Sequence, residues 1–245
     1  MYFNQWKDWF QFNAGHFSHI NWEQGDGLSP QEKSVIAKSL QQFQRGENSE
    51  GKHLFQFARQ TGDESYLEAI KLFIKEEQTH AAILGKYLDK NKIPRIKKHW
   101  VDGAFRFLRK LSGIENSIRV LLTAEIISKI YYAALYEATH SSILKLICEQ
   151  ILSDEIKHIH FQCFAINRFM KSKNQFSKKL SFIFQYVLLE GTVAAVWWHH
   201  RKVLRAGKLS FVGFRKKNRE LFFECAEMIN GKRKIPDAIT NYNRA

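Results

Sequence analysis

Apolar residues recur at helical spacing along most of the chain, and at four places a carboxylate takes a position due to a core side chain. One stripe reads Ile36, Leu40, Phe43, then Glu47 and Glu50, then Leu54 and Phe57. A second reads Tyr66, Ile70, Phe73, then Glu77 and His80, then Leu84. A third runs Ile118, Leu122, Glu125, Tyr132, and a fourth Leu144, Ile147, Ile151, Glu155, His158, Gln162, Ala165. Apolar positions three and four residues apart predict amphipathic helices.

The punctuation between the stripes sets the expected boundaries. Ser29, Pro30 and Glu32 form a capping box, and the helix they open is expected to run to about Gln60. Gly62 marks a turn, and a second helix is expected from about Glu64 to Lys90. Residues 99–111 read as helical, followed by a break at "SGIEN" (112–116). Further helices are expected to about Ala138, from Ile143 to Lys171, from Phe176 to Arg205, and from Phe214 to Asn230. No stretch reads as a strand, and only Pro30, Pro94 and Pro236 could interrupt a helix. The expected fold is therefore all-α: an antiparallel four-helix bundle with additional N- and C-terminal helices. Residues 1–28 form an aromatic-rich N-terminal segment, 29–172 the core, and 173–245 the added C-terminal helices.

Register adds what periodicity does not. Glu-x-x-His occurs at Glu50/His53, Glu77/His80, Glu137/His140 and Glu155/His158. A Glu and a His three residues apart share one helix face, so both can touch one metal ion. Glu47 and Glu77 are equidistant from the turn at Gly62, and Glu125 and Glu155 from the turn at His140. In antiparallel hairpins, residues equidistant from the turn lie at one height. Glu47 should then face Glu77/His80, and Glu125 should face Glu155/His158. An offset of 78 residues superimposes the two hairpins, with "EEQTH" (76–80) on "DEIKH" (154–158). His140 falls in a turn and His53 off the stripe; both are expected to be surface or packing residues.

Four buried carboxylates and two imidazoles need a partner, because an isolated buried charge costs several kcal/mol. Two divalent cations would supply it. Oxygen-rich ligation with one His per ion suits iron first, then manganese, with zinc as a further alternative. The expected ligands are Glu47, Glu77, His80, Glu125, Glu155 and His158, with Glu50 as a candidate extra ligand. Asp154 precedes Glu155 and Glu76 precedes Glu77, each about 100° round the helix. The two-fold arrangement aims Asp154 at His80 and Glu76 at His158. A metal-bound His ordinarily donates its other ring N–H to such a carboxylate. Tyr131 and Tyr132 lie near Glu125 and are expected to be core aromatics.

Charge and cysteines narrow the setting. The net charge is +14, densest at 90–100 and 199–219, and neither stretch carries a recognisable nucleic-acid motif. Nucleic acid is thus not expected as a partner. Peripheral contact with a membrane through the basic aromatic stretch "WWHHRK" (197–202) is a weaker expectation. The three cysteines form no CxxC pair, and no signal peptide is legible, so a cytoplasmic, reducing setting is expected. The apolar run at 181–198 is broken by Gln185 and Glu190 and reads as a packed helix rather than a membrane span.

The pattern Glu47, Glu77-x-x-His80, Glu125, Glu155-x-x-His158 resembles the ferritin-like superfamily of di-iron carboxylate proteins over residues 35–170. "RGENSEGKHLFQFA" (45–58) is similar to the first metal helix of rubrerythrins, and "EEQTHA" (76–81) to the second. The resemblance implies that Glu47 and His80 serve one metal, that Glu125 and His158 serve the other, and that Glu77 and Glu155 bridge. Two histidines are closer to rubrerythrins, ribonucleotide reductase small subunits and aldehyde-deformylating oxygenases than to true ferritins. Scattered cysteines exclude a rubredoxin domain. The resemblance implies a dioxygen-dependent oxidoreductase, with dioxygen or peroxide and a small apolar substrate as partners. The alternative is a non-catalytic metal-binding, iron-handling or peroxide-handling protein.

Overall fold

The computed structural model describes residues 2–23, 27–48, 51–96 and 113–238. They form eight helices and, among the described residues, no strand. These are α1 (Phe3–Asn13), α2 (Pro30–Glu47), α3 (Lys52–Gln60), α4 (Glu64–Lys90), α5 (Gly113–Ala138), α6 (Ser142–Met170), α7 (Gln175–Ala206) and α8 (Phe211–Ile229). Glu50 and the helix expected over 99–111 lie outside the described residues.

Side chains close the helix N-termini where backbone N–H groups would otherwise lack acceptors. Ser29 Oγ accepts from Glu32 N at 3.2 Å while Glu32 Oε2 accepts from Ser29 N at 2.9 Å, the expected capping box. Asp63, Ser141, Asn174 and Ser210 cap α4, α6, α7 and α8 in the same way. Glu32 does a second job. Its Oε1 accepts from Thr139 Oγ1 at 3.0 Å and His140 N at 2.7 Å, so the start of α2 is tied to the α5–α6 turn. Burial works to raise the Glu32 pKa, but the hydrogen bonds from His140, Ser29 and Thr139 outweigh it and hold it at about 2.

One boundary differs from the expected one. The helix expected over 30–60 is two helices, because α2 ends at Glu47 and α3 restarts at Lys52. Gly51 sits between them at φ +61°, a left-handed conformation that costs other residues energy. A Cβ there would also lie 2.5 Å from the Ile74 side chain, so the backbone passes α4 where only glycine fits.

α2 and α4 pack together, as do α5 and α6, and α4 meets α6. α1 lies on α4, while α7 lies on α2 and α5. Apolar residues from all eight helices join one core, from Phe3 and Trp6 to Met228 and Ile229. α7 is the one described helix long and apolar enough to cross a membrane by length and composition; 28% of its most apolar window is buried.

Candidate metal centre

The carboxylates found in the apolar stripes converge on the bundle interior. Ligand atoms of Glu47, Glu77, His80 and Glu155 lie within 4.8 Å of one another. So do those of Glu77, Glu125, Glu155 and His158. Glu77 and Glu155 belong to both groups. His80, His158 and Glu155 are fully buried, and Glu47 and Glu125 nearly so. The heights inferred from the two hairpins are therefore the heights found. His53 is exposed, and so is His140 in its turn.

The histidines are oriented from behind. His80 Nε2 lies 3.0 Å from Asp154 Oδ2, and His158 Nε2 lies 2.8 Å from Glu76 Oε2. Both contacts cross between α4 and α6, the crossed pattern that the sequence offset suggests. A carboxylate at Nε2 makes that nitrogen the donor and leaves Nδ1 of the neutral ring as an acceptor. Nδ1 of His80 is 3.6 Å from Glu77 Oε1, and Nδ1 of His158 is 3.1 Å from the same oxygen and 3.6 Å from Glu125 Oε2. Proximity does not become alignment. Both Nδ1 atoms, Glu77 Oε1 and both Glu155 oxygens are buried without a hydrogen-bond partner among the described residues. Native proteins rarely leave such atoms unpaired, and an ion is one of the few partners that satisfies several at once. These buried groups could hold a metal ion.

Electrostatics respond to the crowding. Burial, then repulsion from Glu77, pushes the Glu47 carboxyl well above its ordinary range, although Tyr132 Oη donates to Glu47 Oε1 at 2.7 Å. Burial, then Glu125, does the same to Glu155. Burial also acts to raise Glu125, but its interactions with Glu155 and His158 outweigh it and hold Glu125 low. Burial opposes charge on His158, yet Glu125, Glu76 and Glu77 raise it well above its ordinary value.

The N-terminal segment closes the site from outside, which the sequence stripes do not indicate. Asn13 Nδ2, at the end of α1, donates to Glu76 Oε1 at 2.5 Å and to Asp154 Oδ1 at 2.9 Å. One amide thus spans the two carboxylates that orient the two imidazoles. His16 Nε2 adds a contact to Asp154 Oδ2 at 3.0 Å. Burial and two histidines pull Asp154 in opposite directions. The contacts from His16 and His80 prevail and hold its carboxyl below the usual range. Rings complete the enclosure: Phe73 and Phe10 face His158, and Phe17 meets His80 edge-on. The only sequence signal for this arrangement is the polar pair Asn13 and His16 at the end of an aromatic segment.

A second buried polar chain runs from α7 to Tyr131, beside the site. His200 Nδ1 lies 2.7 Å from Ser39 Oγ, which lies 2.8 Å from Tyr131 Oη. Phe43 stacks flat on Tyr131, whose ring neighbours Tyr132, the residue that holds Glu47.

No protein-family model and no curated protein matches the chain.

Proposed function

We propose that the chain is a ferritin-like di-metal carboxylate protein, with iron as the first candidate metal, acting as a dioxygen-dependent oxidoreductase. The observation that carries this reading is the set of buried, unpaired ligand atoms at one level: Nδ1 of His80 and His158, and both oxygens of Glu155. Glu47 and His80 would hold one cation, and Glu125 and His158 the other. Glu77 and Glu155 would reach both, because they belong to both groups. Two dications would balance four carboxylates in a place where unbalanced charge costs several kcal/mol. Oxygen donors with a single imidazole per ion favour iron or manganese over zinc.

Bound iron would supply one-electron chemistry with dioxygen. The chain supplies the rest. Asp154 and Glu76 keep protons on Nε2, so each Nδ1 lone pair points inward. Tyr132 donates to one Glu47 oxygen and so helps to orient the carboxylate. Phe10, Phe17 and Phe73 keep water from the imidazoles, which strengthens each electrostatic contact inside. A small apolar substrate suits so aromatic a surrounding.

The test is to load the protein with ferrous iron under anaerobic conditions, admit air, and record oxygen uptake and the optical spectrum. Oxygen consumption with new absorption from oxygen-bridged ferric iron supports the oxidoreductase reading. Tight zinc and no oxygen-dependent change would assign the chain to non-catalytic metal binding.

A further inference from the structure

α7 carries apolar side chains on two opposite faces. One face, with Leu189, Val193, Val196 and Val203, is buried in the molecule. The other is in solvent: Phe176 is 76% exposed, Val187 64% and Trp198 66%, with Leu180 and Ile183 exposed between them. At 100° per residue these five fall within a sector of about 60°, and they span about 33 Å of helix. Val212, at the start of the adjoining α8, is exposed as well. Single exposed apolar residues are ordinary, but four on one face within about three turns, with Trp198 further along it, mark an interaction surface.

The charge around the stripe indicates what covers it. Residues 171–217 contain eleven Lys and Arg and a single acidic residue, Glu190. That Glu is already taken up by Arg215 at 2.7 Å and Arg219 at 2.5 Å. Lys179, Lys202, Arg205, Lys208, Lys216 and Lys217 are exposed. Most of the chain's net charge of +14 therefore lies in the segment that carries this stripe. A second copy of the chain would bring two strongly positive fields together. A bare polyanion would leave the stripe in water. A bilayer with anionic headgroups satisfies both features, because acyl chains receive the stripe while Lys and Arg stems reach up to the phosphates. The opposite face of α7 holds Gln185 and His200 inside the protein, so the helix lies along the surface and does not cross it.

We propose that α7 docks flat on an anionic phospholipid bilayer, with the stripe from Phe176 to Trp198 inserted to the depth of the headgroup boundary. The proposal is independent of whether the centre binds metal.

The test is sedimentation of the full chain with phosphatidylcholine–phosphatidylglycerol vesicles and with pure phosphatidylcholine vesicles. The expected result is binding to the anionic vesicles that is at least about tenfold tighter than to neutral ones and falls with added salt. Leu180→Glu/Val187→Glu should lose at least about tenfold in affinity with an unchanged circular dichroism spectrum. Lys179→Glu/Lys217→Glu, which leaves the stripe intact, should weaken binding severalfold. If the apolar variant does not fold, brominated lipid should quench the parent's tryptophan fluorescence more than that of Trp198→Phe. The proposal is overturned if the parent does not sediment with anionic vesicles, or if the folded Leu180→Glu/Val187→Glu protein binds as the parent does. It is also overturned if the parent is a dimer that this double change dissociates and that ignores vesicles.

Discussion

His80 Nε2 and Asp154 Oδ2 meet at 3.0 Å across α4 and α6, although 74 residues separate them in sequence. The same geometry recurs between His158 and Glu76 at 2.8 Å. Each imidazole is held by the carboxylate that precedes the opposing helix's central Glu. Removing such a partner typically weakens metal binding by about 10–100-fold. Asp154→Ala is expected to show that loss in a competition titration against a chromophoric chelator. Unchanged affinity would mean that Asp154 does not orient the ligand.

Asn13 joins the two orienting carboxylates to each other. Hydrogen bonds to charged groups contribute about 1.5–3 kcal/mol each, and Asn13→Ala leaves two buried acceptors short of a donor. A loss of about 2 kcal/mol would lower Tm by roughly 4–8 °C at this chain length. Thermal unfolding of the metal-free variant checks it, and an unchanged Tm would show that α1 is held by its aromatic residues alone.

Gly51 makes the sharp passage from α2 to α3 four residues after Glu47. Ala at this position must take a left-handed conformation and push aside Ile74. The two effects together should cost about 2–4 kcal/mol. Denaturant unfolding would show the midpoint falling with the slope preserved. Stability equal to the parent's would mean that the loop relaxes without strain.

The metal-free protein should lose stability as pH rises above 6.5, and metal should stabilise it more at pH 8.5 than at 6.5. Glu47 and Glu155 have folded pKa values well above their ordinary 4.5, so unfolding at higher pH lets them ionise and favours the unfolded chain. His158 is raised above 6.5; its contribution is complete below 6.5 and is lost as pH climbs through the folded value. Asp154 and Glu125 are shifted down, so their contributions change only in acid, below the chosen window. Burial, the largest cause, and then nearby cations hold His160 near 4, so its own contribution runs the other way. It grows as pH passes the unfolded value of 6.5 and is complete about one pH unit above it, where both states are neutral; the loss from Glu47, Glu155 and His158 outweighs this one group. Calorimetric scans with and without metal at the two pH values check the sign. A metal-free Tm that rises across this interval would contradict it.

Much of this arrangement is written in the sequence as local pattern. Carboxylates inside apolar stripes show which faces turn inward, and the equal distances of Glu47 and Glu77 from Gly62 fix their height. The crossed pairs follow because Asp154 and Glu76 each sit one residue before a central Glu. The break between Glu47 and Lys52 was less legible. Apolar periodicity resumes at Leu54, so the stripe carries across the interruption, whereas the signal lies in the backbone preference of Gly51. The contacts of Asn13 and His16 left no periodic trace, because they join a terminal segment to residues 63 to 141 positions away. The Ser39–His200 contact, 161 residues apart, is hidden for the same reason.

The central claim is that one level of the bundle holds two cations through six side chains, two of which serve both ions. Elemental analysis after anaerobic dialysis against ferrous iron tests it most directly. The parent should retain two equivalents, and Glu77→Ala and Glu155→Ala should each lose most of the metal while remaining helical. A parent that retains none, or both variants still holding two equivalents, would contradict the account.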